Sequence, residues 1–319
     1  MQHGRINPIS YRFWGSKERF GVLKYESWNL GDDMQSLAAR QYLPTIDYYI
    51  SRDNPSEFKD RGPIKTIMNG WFMGPFNGKP LDWPPPPNIH PLFISFHVGR
   101  EELAAPKYKD YYKQFEPIGC RGYRTLELMT DLGIDAYFSG CLTLTLQNPY
   151  SDKDRTDDIY FVDPFSFGEG KRYPKLDSPD FRNDLWEKIP EEVREKATYL
   201  RHTADVPGED YGNPYKRFNL TRSLFERYAR AKLVVTGRIH CALPCLALGT
   251  PVIFLTDTKT LESDTRMGGL IDLFRNYSFD QILDGDFDVN WENPEPNPVD
   301  ISEMAGKMRR TCEAFIKGS

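Results

Sequence analysis

The segment Val234-Val-Thr-Gly-Arg-Ile-His-Cys-Ala-Leu-Pro-Cys-Leu-Ala-Leu-Gly-Thr-Pro-Val-Ile253 holds the sharpest chemical pattern in the chain. An apolar strand ends at Gly237 and a helix begins shortly after, with Pro244 expected in its first turn and Gly249 as its stop. In an open parallel sheet, ligands bind beyond the carboxyl ends of the strands. Helix N-termini there present free N–H groups and partial positive charge, which suit phosphate or carboxylate. Arg238 adds a bidentate fork and His240 a donor or a titratable proton. The turn therefore reads as an anion site. The competing reading makes Arg238 a surface ion pair and His240 a hydrogen-bonded core residue.

Three further groups sit between predicted strands and helices. Trp28-Asn-Leu-Gly-Asp-Asp33 carries Asn29, Gly31, Asp32 and Asp33; its carboxylates can hold sugar hydroxyls or act as a base, or simply cap a helix. His97 follows the apolar run Ile94-Ser-Phe96, which places it at a sheet edge or in the core. Gly119-Cys-Arg121-Gly-Tyr-Arg124 puts two arginines at a strand end, one able to reach a cleft and the other to pair with Glu127. Trp28, Trp71, Phe72 and Trp83 lie near these loops. They read either as a platform that stacks on sugar faces or as loop packing over the core.

Other matches fail on spacing. Gly74-Pro-Phe-Asn-Gly78-Lys79 has its glycines one residue too close for a Walker loop, and Pro80 replaces Ser or Thr. Asp284-Gly-Asp286-Phe-Asp288 has Val289 where an EF-hand needs glycine, so it reads as a solvated turn. Cys241 and Cys245 beside His240 are expected to be buried thiols, with zinc as the minor alternative. No metal and no cofactor are expected.

The elements that must position these residues alternate. Phe20 to Tyr25 reads as a strand and Met34 to Leu43 as a helix capped by Asp32 or Asp33, with a strand next at Ile46 to Ile50. Strands are predicted at Ile64–Met68 and Leu92–Phe96, and a helix over Thr125–Leu132. A polar stretch from Gln147 to Asp158 separates this half from a second alternation. That one takes in strands at Ile159–Val162, Lys232–Thr236 and Pro251–Leu255, with helices at Leu220–Ala231 and His240–Leu248. Ile301, Met304, Ala305, Met308, Cys312 and Phe315 form one apolar helical stripe near the C-terminus. The alternation predicts an α/β fold with parallel sheets.

Composition narrows the function classes. The 319 residues fit two domains of roughly 150 residues each, which places a boundary near residue 150, giving domains over 1–150 and 151–319. Net charge is -5, from 41 basic and 46 acidic side chains, so nothing in the overall balance favours nucleic acid. No run approaches the about 18 apolar residues a membrane span needs, and Met1 to Trp14 lacks the apolar core of a secretory signal. Five cysteines are an odd, sparse set, which fits a reducing, cytoplasmic setting better than a disulfide framework.

Asn29-Leu-Gly-Asp32, Gly119-Cys-Arg121, Cys141-Leu-Thr-Leu-Thr145 and Thr236-Gly-Arg238-Ile-His240, followed by Ala247-Leu-Gly-Thr-Pro-Val-Ile253, occur in one order. Together they resemble the polysaccharide pyruvyl transferase family over roughly residues 20 to 260. The resemblance implies two Rossmann-like domains facing a cleft, the glycosyltransferase-B type, with the donor bound by the second and the acceptor by the first. It implies phosphoenolpyruvate as donor and a pair of saccharide hydroxyls as acceptor. Arg238 and His240 would then hold the donor's phosphate and carboxylate, with Arg121 a further donor ligand, and Asn29 to Asp32 would face the acceptor. His240, Asp32 and Asp33 become the candidate catalytic residues; Arg238, Arg121, Asn29, Gly31, His97 and Trp71 become the candidate binding residues. The sequence departs from the family pattern at Gly122, where Asp commonly follows the arginine, and at Ser95-Phe-His97, where many members are glycine-rich. The alternative readings are a glycosyltransferase of the same fold using a nucleotide sugar, and a non-catalytic saccharide-binding relative. The closing helix is expected to cross back onto the first domain.

Overall fold

The computed structural model describes residues 18–74, 80–165, 178–204, 212–257 and 267–318. The Walker-like loop falls partly, and the N-terminal segment before residue 18 wholly, outside the described residues. In the first half, β1 (Phe20–Lys24) leads into α1 (Leu30–Arg40), β2 (Tyr48–Ser51) and β3 (Ile64–Ile67). Next come β4 (Trp71–Phe72), β5 (Ile89–Leu92), β6 (His97–Val98), α2 (Lys109–Lys113), β7 (Ile118–Cys120), α3 (Tyr123–Asp131) and β8 (Ala136–Phe138). The main sheet has the order β2-β1-β3-β5, every pair parallel; β4 pairs with β6 and β7 with β8, also in parallel.

The second half contains β9 (Ile159–Val162), α4 (Pro179–Glu187), α5 (Glu191–Lys196), β10 (Thr198–Leu200) and α6 (Pro214–Arg230). These are followed by β11 (Leu233–Thr236), α7 (Ile239–Ala247), β12 (Val252–Thr256) and β13 (Arg275–Ser278). Its sheet runs β10-β9-β11-β12-β13, again wholly parallel. The protein is therefore α/β, with each half built on its own parallel sheet. β11 is buried along its whole length, as a central strand of a covered sheet must be.

Several boundaries differ from the sequence expectation, each for a local reason. α1 starts four residues early because Asn29, not Asp32 or Asp33, is the cap: its Oδ1 accepts the Gly31 N–H at 3.0 Å. The two aspartates then lie in the first turn, where the helix dipole favours them. The predicted strand Leu92–Phe96 breaks after β5, and Ser95 adopts a left-handed φ of 54° that redirects the chain into β6. Before β10, Pro190 separates α4 from α5, the break its position in the charged stretch Phe181 to Lys196 leads one to expect. Pro244 falls inside α7 rather than in its first turn. Lacking an N–H, it returns no helical hydrogen bond to the His240 carbonyl.

Packing ties the halves together. The largest apolar cluster joins Leu30, Met34 and Ala38 of α1 to Tyr228 of α6, Cys241 and Cys245 of α7, and Leu142 and Leu144 of the turn Leu142–Thr145. Met308 and Cys312 of the closing helix Ser302–Lys317 complete the same cluster. That helix also reaches the first half: Lys65 Nζ donates to the Phe315 carbonyl at 3.1 Å, and the Phe315 ring stacks on His90 at 5.7 Å. A second cluster, rich in aromatics, fills the first half, and a third fills the outer face of the second sheet.

Candidate active site

Two helix N-termini meet where the halves touch. α1 follows β1, and α7 follows β11 after a two-residue turn. Gly31 permits the approach, since a Cβ there would lie 3.0 Å from the His240 Cβ and 3.0 Å from Asn29 Oδ1. Any larger residue would press the first turn of α1 against the first turn of α7.

A line of polar contacts crosses this meeting point. Ser27 donates to Asp32 at 2.6 Å, and the Gln35 amide donates to the other Asp32 oxygen at 3.4 Å. Arg121 Nη1 donates to Gln35 Oε1 at 3.2 Å, and the same nitrogen lies 3.3 Å from His240 Nε2. Arg52, at the end of β2, approaches Asp32 at 3.4 Å. Asp32, Gln35, Arg52, Arg121 and His240 are all buried. A guanidinium has only donors, so His240 Nε2 meets Arg121 with its lone pair, and a neutral ring carries its proton on Nδ1.

Arg238 is held from the other side. Its Nε donates to Asp163 at 3.0 Å and its guanidinium lies over the Trp28 ring, 5.2 Å from the centroid. Asp163 also accepts the His202 N–H at 2.9 Å, and the His202 carbonyl accepts the Leu30 N–H at 3.1 Å, at the start of α1. An antiparallel bridge between Asn29 and Thr203 reinforces this link. His202 is fully buried, and among the described residues neither ring nitrogen meets a hydrogen-bond partner. Burial, with the Arg238 charge beside it, pushes its imidazole down from 6.5 to about 3, so it stays neutral.

A sequence model of the polysaccharide pyruvyl transferase family matches residues 29–258. The chain belongs to the polysaccharide pyruvyl transferase family. The matched span contains Asn29, Gly31, Asp32, Arg121, Arg238 and His240, the residues that the fold gathers where α1 and α7 meet. No curated protein matches the chain. Among solved structures, it is similar to a functionally uncharacterized protein from Klebsiella pneumoniae subsp. pneumoniae NTUH-K2044. The two are 13% identical with a TM-score of 0.39, and the similarity covers 78% of this chain and 87% of the other.

The other candidate residues of this family member fall elsewhere. Both Asp33 oxygens accept from Arg217 of α6, at 2.5 to 3.1 Å, in a fully buried ion pair. Burial pushes the Asp33 carboxyl up to about 6 against the pull of Arg217. Asp33 is thus turned toward α6, whereas Asp32 faces the Arg121–His240 side through Gln35. His97 and Trp71 are register partners across β4 and β6, their rings 6.2 Å apart, and Thr125 of α3 approaches His97 Nδ1 at 3.4 Å. Phe72 and Trp83 are buried in the aromatic core with Phe93, Phe96 and Tyr112, which removes them from any sugar platform. All five cysteines are buried and unpaired, and burial pushes the Cys245 thiol up. Arg124 pairs with Glu127 at 2.6 Å and with Glu101, so of the two neighbouring arginines only Arg121 turns inward.

Gln35, Arg52, Asp163, His202 and Arg217 carry the site's polar contacts, yet none stands out in the sequence. Gln35 was findable, since it lies three residues after Asp32 and so shares its helix face. Asp163, His202 and Arg217 find their partners in distant parts of the chain, and Arg52, though bonded to the adjacent Asp53, meets Asp32 only through the fold; no spacing rule reaches these contacts. Among the described residues, no helix is long and apolar enough to cross a membrane.

Proposed function

We propose that the protein transfers a pyruvyl group from phosphoenolpyruvate to two hydroxyls of a saccharide, forming a cyclic ketal during cell-surface polysaccharide synthesis in the cytoplasm. Residues 1–150 act as the acceptor domain and 151–319 as the donor domain, in a glycosyltransferase-B arrangement. The observation that carries the reading is the convergence of Arg121 and Arg238, from different halves, on the helix N-terminus that bears His240.

The donor carries a phosphate and a carboxylate on one small carbon frame, and two anions so close together call for cationic surroundings. Arg238 and Arg121 anchor these anions, and the α7 N-terminus supplies N–H groups. Protonation of the terminal enol carbon gives an oxocarbenium-like centre at the carbon that bears phosphate. One acceptor hydroxyl adds there and loses its proton, and phosphate leaves with the electrons of the C–O bond. The second hydroxyl then adds to the same carbon and gives its proton to the departed phosphate, closing the ketal; of the two hydroxyl protons, one balances the proton delivered to the enol carbon and one ends on phosphate, so donor plus diol gives ketal plus inorganic phosphate. His240 binds phosphate and relays a proton; Asp32, on the acceptor side, takes the hydroxyl proton. Asp33 serves instead to hold Arg217.

Incubation with phosphoenolpyruvate and a glycan panel tests this. The expected result is phosphate release matched by a product heavier by one pyruvyl ketal. Turnover of a nucleotide sugar in place of phosphoenolpyruvate, or glycan binding without phosphate release, would overturn it.

A further inference from the structure

We propose that Asp163 is the positioning residue of the anion site, fixing Arg238 so that the donor meets it end-on. This rests on reading Arg238 as a donor ligand. A guanidinium has two usable forks: a side fork formed by Nε with one terminal nitrogen, and an end fork formed by the two terminal nitrogens. Asp163 takes Nε at 3.0 Å, and the Trp28 ring covers one face of the plane. No other side chain among the described residues is bonded to the terminal nitrogens of Arg238. The end fork is therefore the edge offered to a planar carboxylate or to a pair of phosphate oxygens.

Asp163 itself is held firmly. Its N–H donates to the Leu200 carbonyl at 3.1 Å, its carbonyl accepts from Gly237 at 3.3 Å, and its carboxylate accepts the His202 N–H. These bonds keep it at a left-handed φ of 42°, just before Pro164. A non-glycine residue keeps such a backbone only where its surroundings over-determine it, and such positions gather at functional sites. The position needs a short carboxylate that tolerates this φ, and Asp meets both needs. Gly237 is a close neighbour: a Cβ there would lie 3.1 Å from the Asp163 carbonyl. The strand end at β9 and the turn before α7 are thus locked together through one carboxylate.

The test uses the full chain, with Asp163→Asn and Asp163→Gly, each alone and combined with Arg238→Ala. Nitrogen-15 NMR of arginine Nε–H groups reads the contact without any substrate. Among the slowly exchanging signals of wild type, one should be abolished by Arg238→Ala and lost or broadened in both Asp163 variants. Phosphoenolpyruvate affinity, measured by calorimetry, should fall about 10- to 100-fold in either Asp163 variant, with no further fall when Asp163→Asn is added to Arg238→Ala. Asp163→Gly, relieved of the strained φ, should melt no lower than Asp163→Asn and keeps the test open if the asparagine variant folds poorly. Retention of the Arg238 signal in both Asp163 variants, or additive losses in the double variant, would overturn the proposal. If wild type binds no phosphoenolpyruvate, the functional reading fails, and the NMR signal alone decides whether Asp163 fixes Arg238.

Discussion

Arg121 Nη1 lies 3.3 Å from His240 Nε2, across a gap of 119 residues in sequence and between the two halves of the molecule. The same nitrogen donates to Gln35, which in turn donates to Asp32. An acidic residue of the first half and a histidine of the second are therefore joined through one glutamine and one arginine. Because all of these groups are buried, each depends on the next for its hydrogen bonds.

Gln35 should consequently matter although it is neither acid nor base. Replacing Gln35 with Leu leaves Arg121 and Asp32 each short of a buried partner. We expect a stability loss of about 1–3 kcal/mol by urea denaturation and a fall in kcat/KM of about tenfold or more. Unchanged kinetics would show that the relay from Asp32 to Arg121 has no part in turnover.

Arg238→Ala and His240→Ala should fold normally and lose turnover. Loss of one charged anchor is expected to cost about 2–5 kcal/mol in donor binding or transition-state stabilisation. Circular dichroism checks the fold and phosphate release checks the reaction. Full activity in both variants would remove these residues from the site.

The Asp33–Arg217 pair makes a different prediction, about stability. Arg217→Met leaves a buried carboxylate unpaired and should cost about 3–5 kcal/mol. Converting both residues, with Asp33→Leu added, should recover most of that loss, because the pair's attraction is offset by the desolvation of two charges. A double-mutant cycle by chemical denaturation reads this directly. Failure of the second substitution to recover stability would mean that the pair contributes more than it costs.

His202 gives stability a pH dependence with a definite sign. Its folded value, about 3, lies below the unfolded 6.5, so below pH 6.5 the unfolded chain takes up a proton that the folded one refuses. Its contribution is complete above pH 6.5 and is lost progressively down to about pH 3, by up to about 5 kcal/mol. Asp33 opposes it, because burial raises its folded value from 3.8 to about 6, and that contribution grows as pH falls across that window. His202→Phe should therefore flatten the acid limb of a stability-versus-pH curve. An acid limb as steep as that of wild type would refute the assignment.

Gly31→Ala probes the seam. Its Cβ would sit 3.0 Å from that of His240, so α1 and α7 must part by a few tenths of an ångström. The expected cost in melting is small, about 1 kcal/mol or less, since alanine is the better helix residue. Turnover should fall much further, as near-attack geometry tolerates little displacement. Equal activity would show that the spacing at this contact is not limiting.

The parallel architecture was legible because the apolar runs at Phe20, Ile159, Leu233 and Val252 are short and bounded by turn residues, with helical spacing between them. Arg238 and His240 could be singled out because they adjoin a buried strand that ends in glycine. Asp33 could not be told from Asp32, since adjacent carboxylates on a helix point in different directions and only the arrival of Arg217 from α6 separates their roles. Trp83 was equally opaque: nothing local shows that its ring lies among Phe72, Phe93 and Phe96. Pair identities set by tertiary contact, such as Arg238 with Asp163, are not written in local spacing.

The closing helix has a consequence for synthesis. Met308 and Cys312 fill the interior that α1, α6 and α7 share, and Met304 lies against Gly140. A nascent chain still lacking those last turns leaves that interior open to water, however well its two sheets have formed. The seam between α1 and α7 should therefore set only after residues 302–317 have been made, which makes deletion of that helix more damaging than its distance from His240 suggests.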